Sequence, residues 1–166
     1  MAEEKDTRED FKFPKVDRTA NFQEVPFYQE ERMDAVYLKN KRIFVEHTII
    51  GADAATAANY GTFWIAPVKC TVVNVWEVHE TAGSDGGAVT LDVEKLDGTT
   101  APGSGDSVLA STIDLKATAN TVQTATITTT LADRNLAKGD RLALVDTGTL
   151  TAVANVTVVI ELKHDF

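Results

Sequence analysis

From residue 42 onward, apolar side chains recur at every second position, and no stretch carries a long run at helical spacing. Successive side chains of a strand point to opposite faces, so this alternation commits the chain to sheets with one face buried. The last segment shows it best, with Val156, Val158, Ile160 and Leu162 on one face and Asn155, Thr157, Glu161 and Lys163 on the other. Ile43, Val45 and Ile49 alternate with Arg42, Glu46 and Thr48 in the same way, and Val89, Leu91 and Val93 with Thr90, Asp92 and Glu94. Ala125 and Ile127 alternate with Thr124, Thr126 and Thr128. Threonine favours extended backbone through its β-branch while its hydroxyl tolerates water, so this segment reads as a strand with one wet face. The run from Thr71 to Glu80 is apolar on both faces, as expected of a central strand.

Turn signals separate these runs every 8–15 residues. Gly83-Ser84-Asp85-Gly86-Gly87 reads as a hairpin connection, and Lys138-Gly139-Asp140 as a turn into Arg141–Val145. About eight short strands result, which predicts an all-β antiparallel sandwich. An immunoglobulin-like sandwich has about seven strands and a jelly roll about eight in two Greek keys, so the count leans to the jelly roll. Trp64 and Trp76 lie in dense strand patterns and are expected in the core. No internal repeat is present, which excludes a propeller or solenoid.

Residues 1–41 follow different rules. Six of the twelve aromatics fall there, at Phe11, Phe13, Phe22, Phe27, Tyr28 and Tyr37, without helical or strand periodicity and interrupted by Pro14 and Pro26. Only Met33, Val36 and Tyr37 suit one or two helical turns within 29–38. Two domains are therefore expected: an extended N-terminal arm over 1–41 and a β-sandwich over 42–166. A polar tail is normally poor in aromatics, so the arm is expected to bury its own, either against its body or against a partner.

The charge narrows the partners. A formal net charge of −9 and a pI near 4.7 argue against binding nucleic acid or anionic membranes, since both demand cationic surface. The 34 N-terminal residues carry ten acidic and six basic groups, and residues 47–166 carry fourteen acidic and seven basic. Most of the excess negative charge thus sits on the body, where it keeps a densely displayed protein soluble. The one cysteine, Cys70, excludes an internal disulfide and reads as a small buried side chain. No run is long enough to span a bilayer and the chain starts without a signal peptide pattern, so it is expected to be made and folded in the cytoplasm.

No catalytic signature emerges, and no cofactor or metal is expected. His47, His79 and His164 lack the His-x-His or His-x-Asp spacing of a cupin-type metal site. Glu77 and His79 share a strand face and could make a two-ligand surface site, although an ordinary edge-facing polar pair explains them as well. Asp92 with Glu94, or Glu77 with Glu94, could pair for glycoside hydrolysis, but a solvated strand face is the simpler reading. No Gly-x-Ser-x-Gly turn or phosphate loop is present. Asn155-Val156-Thr157 matches a glycosylation triplet but begins a buried, alternating strand in a chain without export signal.

Residues 60–163 resemble the small jelly-roll capsid decoration proteins of tailed bacteriophages, also called cement or head-stabilisation proteins. The resemblance is carried by Phe63-Trp64-Ile65-Ala66-Pro67 leading into a Val-rich strand, by Pro102-Gly103-Ser104-Gly105 followed by Leu115–Gln123, and by Gly139-Asp140-Arg141-Leu142-Ala143-Leu144. It implies a homotrimer on the outer surface of the virion head that binds the major capsid protein through its base and N-terminal arm. Arm aromatics Phe11, Phe13, Phe22, Phe27, Tyr28 and Tyr37 are then the capsid-docking candidates, and Thr126 and Val159 the candidates for contacts between subunits. The rival reading on a similar sandwich is a carbohydrate- or receptor-binding module of a phage tail fibre or head fibre.

Overall fold

The structure is a computed structural model and describes residues 41–165. The arm, its six aromatics and the helical turns expected over 29–38 lie outside the described residues, apart from Lys41.

Ten strands form among the described residues: β1 (Arg42–Ile49), β2 (Thr62–Ile65), β3 (Cys70–Thr81), β4 (Thr90–Leu96), β5 (Asp106–Ser107), β6 (Ile113–Asp114), β7 (Gln123–Thr124), β8 (Asn135–Leu136), β9 (Arg141–Thr147) and β10 (Ala154–His164). They make two five-stranded antiparallel sheets. The first has the order β1-β10-β3-β7, with β8 also on β3; the second has β2-β9-β4-β5, with β6 also on β4. Since β5 and β6 share one partner strand, and β7 and β8 another, the ten strands fill eight positions. Numbered along the chain, these positions pair first with eighth, second with seventh, third with sixth and fourth with fifth. That is one long antiparallel ribbon rolled into two sheets, the jelly-roll arrangement.

Inward positions follow the alternation. Val156, Val158, Ile160 and Leu162 of β10 are buried against Val72, Val75, Leu91, Val93, Leu142 and Leu144 from both sheets. At roughly 1.5–3 kcal/mol for each fully buried side chain, this shared layer is the main stabilising contribution of the body. Cys70 is fully buried, and burial pushes its thiol up to about 11.

Two expectations are corrected. Gly83–Gly87 is not a hairpin connection, because it joins β3 of the first sheet to β4 of the second. Both ends of a hairpin and of an inter-sheet corner need the same turn residues, so composition could not separate them. Trp76 is half-buried on the outward face of β3, whereas Trp64 does pack against the core. β3 gains a residue against β10 between Val72 and Asn74, so the alternation on the two sides of this bulge is out of step.

Candidate interaction face

The two sheets treat their outward faces differently. On the second sheet, the segment following β4 folds back over it. Glu94 is 7% exposed, and its Oε2 accepts hydrogen bonds from the backbone N–H of Gly103 (2.8 Å) and Gly105 (3.1 Å). Asp92 Oδ1 accepts one from the Ser107 hydroxyl at 2.7 Å, and burial holds the Asp92 carboxyl above its ordinary range. A side chain at Gly105 would meet Leu96 Cδ2 at 2.5 Å and the Lys95 carbonyl at 2.6 Å, so only glycine lets the backbone pass this close. The expected solvated strand face is therefore wrong for Asp92 and Glu94: both carboxylates anchor a loop. Glu77 and Glu94 lie on different sheets and do not pair.

At the centre of the first sheet's outward face, Val159, Trp76 and Val78 are half-buried. Glu46, Val159, Trp76 and Thr124 form one row across β1, β10, β3 and β7. Thr48, Thr157 and Val78 form the next row, with the Thr48 and Thr157 hydroxyls 3.0 Å apart. On the other side lie Phe44, Glu161 and Asn74, where Glu161 takes a hydrogen bond from Asn74 Nδ2 at 2.5 Å and pairs with Arg42 Nε at 3.3 Å. The centre is thus apolar, made by Val159, Trp76 and Val78. Phe44 and Val122, each 63% exposed, flank it, and charge borders it.

Both candidates for subunit contact belong to this face. Val159 is half-buried beside Trp76, and Thr126 is exposed just past β7, where Ala125 and Ile127 turn inward to the core. Phe44, Trp76 and Val122 went unrecognised in the sequence. The signal was present for Phe44, which occupies an outward position between Ile43 and Val45. For Trp76 it was obscured by the bulge.

A buried polar network fixes the segment that carries Val122, Thr124 and Thr126. Glu77 is 1% exposed and His79 fully buried, so the expected edge-facing pair or surface site is corrected: the side chains point into the protein. His79 Nε2 lies 3.1 Å from the Ala117 carbonyl, which can only accept, so this nitrogen carries a proton. Its Nδ1 lies 2.9 Å from Glu77 Oε1, and the pair shares one further proton between them. Gln123 Nε2 donates to Glu77 Oε2 at 2.6 Å and to the Asp114 carbonyl at 2.9 Å. Burial raises the Glu77 carboxyl above its ordinary range, against the opposing pull of His79 and Gln123. Two backbone bonds complete the attachment, from Asn120 N–H to the His79 carbonyl (2.7 Å) and from Ala125 N–H to the Val75 carbonyl (2.9 Å). With every group partnered, this is a structural clamp.

Among the described residues no group of three His, Cys, Asp or Glu side chains converges to hold a metal. No helix there is long and apolar enough to cross a membrane. Asn155 of the glycosylation triplet spends its side chain on Glu80 Oε2 (2.6 Å) and the Gly51 N–H.

No family model and no curated protein matches the sequence. Among solved structures, a chain of the "Capsid of Ralstonia phage GP4" matches with a TM-score of 0.55 at 14% identity, covering 76% of this chain and 86% of that one. The sandwich is a fold shared with that capsid chain. A chain of the "Cyanophage Pam1 capsid asymmetric unit" aligns with a TM-score of 0.46 at 16% identity, covering 75% of this chain and 84% of that one.

Proposed function

We propose that this protein is a structural component of a bacteriophage virion, bound to the outer surface of the head as a trimer, where it stabilises the major capsid protein lattice. The observation that carries the reading is the jelly-roll body shared with a chain of the Ralstonia phage GP4 capsid over most of that chain's length. On this reading Val159 and Thr126, with Trp76 and Thr124 between them, contact neighbouring copies. The arm aromatics Phe11, Phe13, Phe22, Phe27, Tyr28 and Tyr37 dock on the major capsid protein. Three arms tied to one body bind at high effective concentration, so modest contacts add up to a firm clamp. The function is burial of surface rather than catalysis, with no cofactor, nucleic acid or membrane involved.

Co-sedimentation with empty heads tests this. The full chain is expected to pellet saturably with heads, and a chain of residues 42–166 to stay folded and remain in the supernatant. Undiminished pelleting of the shortened chain would overturn the role of the arm. Phe44 and Trp76 on one body face also suit a second reading, since carbohydrate-binding modules stack sugars on such aromatics. Glycan-array hits without head binding would favour that reading.

A further inference from the structure

The strands that end the two sheets are unequal. β2 has four residues and a break in its register, and β5, β6, β7 and β8 have two residues each. β1 has eight residues in unbroken register with β10, and no described strand pairs with its other side. A long regular edge is what folded proteins usually avoid, because its unpaired amides and carbonyls template the addition of another strand.

The β1–β10 ladder determines which groups face outward. His164 N–H donates to the Lys41 carbonyl at 3.1 Å, so these two residues form a hydrogen-bonded pair of the ladder. Such pairs alternate along an antiparallel ladder. Ile43, Val45, His47 and Ile49 therefore bond to β10, while the backbone N–H and C=O of Arg42, Phe44, Glu46 and Thr48 point to the open edge.

An antiparallel β1 from a second copy can bond these even-numbered residues only to even-numbered residues. Three two-fold registers offer substantial overlap. Centring on Glu46 sets two glutamates directly opposite, which is destabilising. Centring on Val45 sets Arg42 against Thr48 and Phe44 against Glu46. Centring on Phe44 sets Phe44 against Phe44 at the axis and Arg42 against Glu46 on both sides, an aromatic pair between two ion pairs. We propose that two copies of this chain join through their β1 edges, antiparallel and centred on Phe44, making one continuous sheet across a two-fold axis.

The paired segment, Arg42–Glu46, spans only about 17 Å. Stable interfaces bury more than roughly 1,000 Å², so this contact is weak in dilute solution and gains when copies are held close together. On a head surface it would join neighbouring trimers, which extends the proposed function; the pairing itself stands on the edge alone.

Disulfide trapping of the full chain tests it. Opposed residues of a hydrogen-bonded antiparallel pair have Cα atoms about 5.5 Å apart, within disulfide reach. Phe44→Cys should cross-link to a dimer under mild oxidation at high protein concentration, several-fold faster than Glu46→Cys, and the buried Cys70 should stay unreacted. In sedimentation equilibrium, Phe44→Lys should halve the mass of the wild-type assembly and leave the melting curve unchanged. Ile65→Lys, the same exchange at an exposed site on β2, should leave the mass unaltered. Wild-type chain that stays unassociated up to its solubility limit, or Glu46→Cys cross-linking faster than Phe44→Cys, would overturn the proposal. So would a fall to one third of the mass for Phe44→Lys. Loss of head binding with cross-linking intact would count against the virion reading only.

Discussion

Gln123→Ala tests whether the buried clamp holds the candidate interaction face in place. The wild-type amide donates to a carboxylate that is 1% exposed and to the Asp114 carbonyl. A hydrogen bond to a charged group contributes about 1.5–3 kcal/mol and a neutral one about 0.5–1.5 kcal/mol. Gln123 is itself only half-buried, so water replaces part of what is lost, and a net cost of about 2 kcal/mol is expected from the lower half of that range. With a urea slope of about 2 kcal/mol/M, the unfolding midpoint falls by about 1 M. Hydrogen exchange gives the local readout: the Asn120 and Ala125 amides, which attach this segment to β3, should lose protection before the β10 amides do. A cost under about 0.5 kcal/mol with unchanged exchange at both amides would refute the clamp, because surface changes without a structural role fall in that range.

Gly139 and Gly148 both have φ of +95°, but a Cβ at Gly139 meets open space whereas one at Gly148 comes within 2.0 Å of the Ala88 carbonyl oxygen. Thermal melts should therefore show Gly139→Ala costing about 1–2 kcal/mol from the left-handed backbone alone, and Gly148→Ala distinctly more. Glu77 has a carboxyl raised by burial, so its contribution to stability is full below its unfolded value of 4.5 and is lost as pH rises through the higher folded value. The stability of wild type relative to Glu77→Gln should accordingly decline as pH rises from acid toward neutral, as read from urea curves at a series of pH values; a difference that grows with pH would contradict this. Val159→Lys, at the centre of the outward face, should change stability by less than about 1 kcal/mol and, in sedimentation equilibrium, remove threefold association while leaving any pairing through β1.

Much of the fold was legible because alternation is a direct image of the pleat. Val156, Val158, Ile160 and Leu162 face the core as the pattern requires. The strand count was limited by the fifth and sixth positions, where β5 with β6 and β7 with β8 are two-residue pieces too short to show a period. Sheet membership was also hidden, since glycine-rich turns serve hairpins and corners equally, as Gly83–Gly87 shows. The face was partly legible: Val159 and Thr126 follow from outward phase, but Trp76 does not, because one inserted residue shifts the phase along β3. The polar residues were the least legible. Glu77, His79, Asp92 and Glu94 look solvated in sequence, and only the tertiary arrangement supplies the amides and side chains that make their burial affordable.

The most direct test of the virion role is electron microscopy of phage heads assembled with and without this protein. The account predicts jelly-roll density on the outer head surface in threefold clusters, present only when the protein is supplied, and heads that break apart more readily without it. Heads of identical density and stability in the two preparations, with the protein found on tail or head fibres instead, would contradict it.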